Sequence, residues 1–389
     1  MNILIASGMF PPMRTGTAFY TQNLAQTLQS RGHRVTVVTL GETASHRNEA
    51  GLDAHRLPAF QLPLKGFFKH FRLCSAKPSN WSRLVRIARD ADADVLFLVN
   101  HYLDIAFPAA WTAGRLRIPL ICSVGTQLQS LNPRRHRILN ILDWLICGHL
   151  VFPFCDRIIA WDSQIWQYLQ DVHGDAVIRK TEIVNYGVNG DAADLLAREK
   201  DYASSGVILG VGAVSEQRSF VPLVKAFAIL ARDIPDLRLR IVGHVYYDEA
   251  VRIAAQHGVG RKVEFLGEQS HDTVIDEMAC ADAFYSSLTG KYTGLGTATI
   301  EAMLLGVPAV VNTPLDLLGK AMLVDGQHLI HSPDLDPEMI AARIRPLLLD
   351  EGIRRRVGLG GREFVNRYLN WEVVAQDLEA ILEELADRP

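Results

Sequence analysis

The chain has 389 residues, too many for one ordinary core and enough for two or three domains. With 48% hydrophobic and 21% charged residues it reads as globular, and a formal net charge of −3 offers no electrostatic footprint for nucleic acid. The five cysteines (Cys74, Cys122, Cys147, Cys155 and Cys280) form neither a C-x-x-C pair nor a zinc spacing, the pattern of reduced thiols in a cytoplasmic protein.

The opening MNILIASGMF lacks a basic leader region and reads as a buried first strand, so no signal peptide is expected. NILIAS (2–7), RVTVVTL (34–40), DVLFLVN (94–100), PLICSV (119–124), RIIAWD (157–162) and TEIVNY (181–186) are short apolar runs, each a strand covered on both faces. Between the first two, Tyr20, Leu24 and Leu28 recur at helical spacing, and Gly32 supplies a stop. LPLKGFFKHFRL (62–73) interleaves Lys65, Lys69 and Arg72 with Phe67, Phe68 and Phe71. PRRHR (133–137) runs into ILNILDWLICGHLVFPF (138–154), which Asp143, Gly148, His149 and Pro153 break too often for a bilayer span. Cations beside apolar side chains suit the headgroups of an anionic membrane, so 62–73 and 133–154 are expected to dock there. The plainer alternative puts the rings in the core with the cations snorkelling outward.

Polar residues take over in YGVNGDAADLLAREKDYASSG (186–206), where one domain gives way to the next. VILGVGA (207–213), LRLRIVGH (237–244), KVEFLG (262–267), DAFYSS (282–287) and PAVVN (308–312) then repeat the strand rhythm, with an amphipathic helix over VPLVKAFAILARD (221–233). The expected division is 1–190 and 191–370, with the amphipathic WEVVAQDLEAILEEL (371–385) placing the segment 371–389 back on the first domain. Alternation of strands and helices predicts an α/β chain of two doubly wound parallel-sheet (Rossmann-like) domains facing each other across a cleft. Ligands are expected at the carboxyl ends of the strands.

TGLGTATIEAMLLGVPAVV (293–311) falls at such a place. Gly294 and Gly296 flank Leu295 and let the backbone approach a ligand, and a helix beginning near Thr297 offers unpaired amides and a positive dipole end. Glu301, one turn in, is the lone carboxylate among Ile300, Ala302, Met303, Leu304 and Leu305 and therefore needs a partner. Hydroxyls such as those of a ribose suit it. The alternative is a tight turn followed by a solvated glutamate.

This stretch resembles the nucleotide-sugar motif of GT-B fold glycosyltransferases, specifically the large retaining family 4. The likeness covers nearly the whole chain: FPPMRTGTAFYTQNLAQTLQSRGHRVTVVTL resembles the family's opening, VNYGVN (184–189) its interdomain segment, and VILGVGAVSEQRSFVPLVKAF the start of its donor domain. VEFLGEQSHDTVIDEMACADAFYSS and FVNRYLNWEVVAQDL are similar to the same template. The resemblance implies a bacterial enzyme of hexosyltransferase type, moving a sugar with retention from a UDP- or GDP-linked donor to a hydroxyl of a glycan or lipid-linked acceptor. It implies an acceptor-binding N-terminal domain and a donor site built from Gly16, Thr17, Gly212, Arg218, Lys291, Thr293, Gly294, Leu295, Gly296, Thr297 and Glu301. Arg218 and Glu301 are the implied catalytic pair, and His101, after a strand end, is an acceptor-side candidate with a structural role as its alternative.

Three positions depart from the family. Thr293 stands where the first glutamate of a pair is usual, Ala213 where an arginine is usual, and Gly125 or Val124 where a histidine is usual. Arg218 occupies the usual lysine position, and Lys291, in a lengthened loop, is the candidate replacement for the missing charge. No metal or other cofactor is expected, since no Asp-x-Asp is followed by suitable ligands and the helix amides with Arg218 neutralise a diphosphate. The rivals are a degenerate nucleotide-binding partner subunit and a sugar-nucleotide epimerase, which demands more acid and base groups than the sequence shows. The expected location is cytoplasmic, at the inner face of the plasma membrane when docked.

Overall fold

The computed structural model describes residues 1–13, 15–61, 71–188, 200–218 and 220–386. It divides into one unit of Met1–Gly187 with the helix from Trp371, and a second of Val188–Asn370. Residues 191–199, where the second domain is expected to begin, lie outside the described residues.

The first unit runs β1 (Asn2–Ser7), α1 (Gly16–Ser30), β2 (Arg34–Gly41), β3 (Ser45–Glu49), β4 (Leu52–Pro58), β5 (Phe60–Gln61), β6 (Arg72–Leu73) and α2 (Pro78–Asp90). It continues through β7 (Val95–Val99), α3 (Ala106–Leu116), β8 (Leu120–Val124), α4 (Pro133–Leu150), β9 (Arg157–Ala160), α5 (Ser163–His173), α6 (Asp175–Ile178) and β10 (Thr181–Ile183). Eight strands form one sheet in the order β10-β9-β8-β7-β1-β2-β4-β3. All pairs are parallel except β3 with β4, an antiparallel edge hairpin. β7 and β8 are buried at every position, which is why they read as continuous apolar runs. The small strands β5 and β6 pair separately. Residues 62–70 between them, most of the first expected docking segment, lie outside the described residues.

The second unit runs β11 (Val207–Val211), α7 (Val221–Asp233), β12 (Arg238–Val242), α8 (Glu249–Gln256), β13 (Val263–Gly267), α9 (His271–Cys280) and β14 (Ala283–Ser286). After these come α10 (Thr297–Leu304), β15 (Ala309–Val311), β16 (Ile330–His331), α11 (Pro337–Leu349) and α12 (Glu351–Tyr368). Its six strands are parallel throughout, in the order β13-β12-β11-β14-β15-β16.

The last helix, α13 (Trp371–Ala386), joins the first unit's core. Trp371, Val374, Leu378, Ile381 and Leu385 recur every three to four residues and bury one face in the cluster that holds Tyr20, Leu24 and Leu28 of α1. Arg31, at the end of α1, fastens the contact by donating to both carboxylate oxygens of Glu379 at 2.6 and 2.8 Å.

Each sheet reverses its winding at its first strand. β1 lies between β2 and β7, and β11 between β12 and β14. The loops leaving β1 and β7, and those leaving β11 and β14, therefore border the crevices where an open α/β sheet binds ligands.

Candidate functional site

In the second unit the crevice is organised around Arg218. β11 ends at Val211, and Gly212 follows with φ of +136°. A Cβ at Gly212 would lie 2.2 Å from Arg218 Nη1, so the guanidinium occupies space that only glycine leaves open. The loop after β12 closes in from the other side, since a Cβ on Gly243 would meet the Gly212 carbonyl oxygen at 2.1 Å. Arg218 sits in a small turn, its N–H donating to Ser215 Oγ at 3.2 Å while its carbonyl accepts from the Ser215 N–H at 3.1 Å. Its Nε is buried and finds no hydrogen-bond partner among the described residues. Burial lowers its pKa from the ordinary arginine value, without removing the charge. A half-buried cation with no carboxylate partner among the described residues is suited to an anion.

The loop after β14 brings the helix terminus to this cation. Asn312 pins its start, donating from Nδ2 to the Leu288 carbonyl at 2.9 Å and accepting from the Leu288 N–H at 3.2 Å. The Thr289 N–H then donates to the Gln217 carbonyl at 2.8 Å, tying this loop to the one that carries Arg218. Gly294, Leu295 and Gly296 lead into α10, whose cap, Gly296, has no side chain to consume the helix amides. A Cβ at Gly296 would stand 3.7 Å from Arg218 Nη2. The first amides of α10, from Thr297 and Ala298, and the positive end of its dipole thus face the same place as the guanidinium.

Glu301 lies one turn into α10 with its side chain 25% exposed. Its partner is His271, the first residue of α9, whose Nε2 is 3.2 Å from Glu301 Oε1. That hydrogen bond, supported by the carboxylate's charge, raises the His271 pKa against the opposing effect of burial. The pairing holds one carboxylate oxygen and leaves Oε2 for a ligand hydroxyl. Thr293 is half-buried ahead of the glycines, and Lys291 is exposed with Nζ 5.1 Å from the Tyr292 ring centroid.

In the first unit Thr15 caps α1, its Oγ1 accepting from the Ala18 N–H at 3.2 Å, and Gly16 opens the helix into free space, with no atom within 4 Å of where a Cβ would stand. Thr17 Oγ1 accepts from Asn100 Nδ2 at 3.1 Å, and Asn100 Oδ1 accepts from the Gly125 N–H at 3.0 Å. Asn100 is thus a brace across the loops after β1, β7 and β8. Its φ of +64° suits the left-handed region that asparagine tolerates.

His101, expected as an acceptor-side group, is completely buried. Its Nε2 lies 3.2 Å from Asp143 Oδ1, and Asp143 Oδ2 is met by His173 Nε2 at 3.0 Å and by the Tyr168 hydroxyl. Burial opposes ionisation of Asp143, but the two imidazoles hold its carboxyl well below the usual carboxylate range. His101 offers no surface to an acceptor, and its place is the structural one.

Gly125 explains the missing histidine. A Cβ there would lie 2.3 Å from the Trp161 ring, so the indole fills the room of any side chain at 125. Trp161 Nε1 donates to Ser123 Oγ at 2.7 Å, and its ring packs 4.3 Å from that of Tyr20, with Tyr186 and Trp371 around them. Sequence reasoning misses this aromatic group because its members lie on four separate segments of the chain.

The family profile described as "Glycosyltransferase Family 4" matches residues 14–191, and "Glycosyl transferases group 1" matches 195–364. A mannosylfructose-phosphate synthase of Agrobacterium fabrum is 25% identical over 325 residues, covering 77% of this chain and 71% of that enzyme. A GDP-mannose-dependent monoacylated alpha-(1-6)-phosphatidylinositol monomannoside mannosyltransferase of Corynebacterium glutamicum is 30% identical over 171 residues, covering 41% of this chain and 42% of that one. The structure of Anabaena HepE in complex with UDP superposes with a TM-score of 0.73 at 15% identity, covering 99% of this chain and 100% of that one.

Two Rossmann-like parallel-sheet domains and these matches define a glycosyltransferase of the GT-B fold. Within that class, the chain resembles glycosyltransferase family 4.

Proposed function

We propose that the protein transfers a hexosyl group, with retention, from a UDP- or GDP-linked sugar to a hydroxyl of a glycan or lipid-linked acceptor. The observation that carries this reading is the Arg218 guanidinium at the amino end of α10, its Nε without a hydrogen-bond partner among the described residues, with Glu301 one turn behind it. A departing nucleoside diphosphate accumulates charge as the anomeric carbon–oxygen bond breaks. The cation and the Thr297 and Ala298 amides stand ready before that charge develops, so they stabilise it without reorganising. Glu301 Oε2 accepts from ribose hydroxyls, and His271 keeps the carboxylate aimed. With Thr293 in place of a carboxylate, the leaving diphosphate oxygen is the base assigned in this reading to the proton released by the acceptor hydroxyl. The names of the relatives, which include GDP-mannose dependence and a complex with UDP, support a diphosphate donor.

A panel of UDP-, GDP- and ADP-sugars with saccharide and lipid-linked acceptors tests the reading through release of the nucleoside diphosphate. The anomeric configuration of the product is read by NMR. Retention with one donor class is expected, whereas an inverted product overturns the stereochemical part. Thr293 and Ala213 favour one other reading, a nucleotide-binding partner subunit, for which every donor binds and none is turned over.

A further inference from the structure

Helix α4 is attached to its domain along one narrow seam. Of its 18 residues only Asp143 and Cys147 are buried. His136 and Asn140, earlier on the same line, are half-buried, and the spacing 136, 140, 143, 147 follows a single helical stripe. Beyond the cations of the first turn and His149, the outward side of the helix is dominated by apolar side chains. Ile138, Ile141, Leu142, Trp144, Leu145 and Leu150 are each 44–55% exposed. A helix of 18 residues is about 27 Å long. Its outward arc is therefore one continuous patch, unlike the scattered single residues that ordinary surfaces carry.

The charge at its amino end identifies what covers it. Asn132 caps the helix through Oδ1, which accepts from the Arg134 and Arg135 N–H groups at 3.1 Å each. Arg134, Arg135 and Arg137 are exposed in this turn, and none pairs with a carboxylate among the described residues. Cations at the positive end of a helix dipole are unfavourable unless an external anion is present. The sole acid of the helix is Asp143, which is turned inward to Tyr168, His173 and His101. A second copy of the chain presenting this face would cover the apolar arc and still leave three arginines opposite a helix with no free carboxylate. A lipid surface bearing phosphates answers both features.

We infer that α4 docks the protein on an anionic bilayer, lying in the interfacial plane with its apolar arc immersed and Arg134, Arg135 and Arg137 against lipid phosphates. The segment Pro133–Phe154 has the length and hydropathy of a membrane span. It nevertheless lies along the surface, because Asp143 is fastened in mid-helix to two histidines and a tyrosine of the folded domain. This inference is independent of the donor site.

The test is flotation of the full chain with vesicles of phosphatidylcholine alone and of phosphatidylcholine containing phosphatidylglycerol. The expected result is binding to the anionic vesicles, falling about tenfold or more when salt rises from ~0.1 M to ~1 M and the screening length shrinks from ~10 to ~3 Å. The double variants Ile141→Glu/Leu145→Glu and Arg134→Glu/Arg135→Glu are each expected to lose binding by about tenfold or more. All four side chains are exposed, and a retained thermal midpoint confirms folding. Trp144 gives a readout without disruptive substitution: brominated lipid quenches the unmodified protein, and Trp144→Phe abolishes most of that quenching. Absence of vesicle binding, equal binding by the variants, or a protein dimer that Ile141→Glu/Leu145→Glu dissociates while vesicle binding persists overturns the proposal.

Discussion

Replacing Glu301 by alanine separates the role of this carboxylate in binding from its role in stability. The stability cost follows from its partner: His271 is 56% exposed, so a solvent-screened pair contributes between about 0 and 1 kcal/mol. For a domain of this size that corresponds to a melting shift of a few degrees at most, about 2–4 °C per kcal/mol. The binding cost is larger. A charged acceptor for ribose hydroxyls is worth about 1.5–3 kcal/mol, equivalent to an increase in Kd of roughly 10- to 150-fold. Isothermal titration of UDP and GDP into wild type and Glu301→Ala, with a melt of each, gives both quantities. His271→Ala leaves Oε2 in place but loosens its aim, so its effect on Kd falls between wild type and Glu301→Ala. Unchanged nucleotide affinity in a folded Glu301→Ala protein refutes the reasoning.

Four more expectations come from particular contacts. Arg218→Ala weakens a nucleoside diphosphate by roughly 10- to 150-fold and leaves the bare nucleoside unaffected, because only the phosphates lose a charged donor; parallel titrations with UDP and uridine check this. Gly212→Ala has the same signature, its Cβ displacing Arg218 from a position 2.2 Å away. Gly125→Ala collides with Trp161 and lowers stability by about 1–3 kcal/mol, measured by denaturant titration, so restoring a histidine there requires a smaller residue at 161. Burial lowers the His173 pKa, so the unfolded chain takes up a proton first as pH falls. The resulting stability is complete above about pH 6.5 and declines as pH falls from there toward the folded value. Asp143, held below the usual range, adds a second loss beneath about pH 4. The half-exposed His271, with its pKa raised, acts in the opposite direction and more weakly, its contribution fading as pH rises through that value. Melting curves between pH 7 and 5 are expected to move down, and His173→Gln to flatten that part of the profile.

The inner strands of both sheets, such as β1, β7, β8 and β14, are legible in the sequence because they are buried on two faces and so appear as unbroken apolar runs. The β3–β4 hairpin is not, because SHRNE lies exposed on a sheet edge and carries no apolar pattern. The helix 221–233 is legible to the residue, since its amphipathic period and Pro222 in the first turn are local signals. At the candidate site the glycine turn, the helix start and the position of Glu301 one turn in are legible from one stretch of chain. The close approach of Arg218 to Gly296, the pairing of His271 with Glu301, and the brace at Asn100 are not, because each joins segments that only the sheet order brings together. His101 misleads for the same reason. A strand-end histidine looks available until Asp143, on a distant helix, is seen to claim it.

The central claim is that a diphosphate rests between Arg218 and the amino end of α10. A crystal structure with UDP or GDP bound tests it most directly. The account predicts phosphate oxygens within hydrogen-bond reach of the Arg218 guanidinium and the Thr297 and Ala298 amides, with the ribose hydroxyls donating to Glu301. Phosphates seated elsewhere, or Glu301 turned away from the ribose, contradict it.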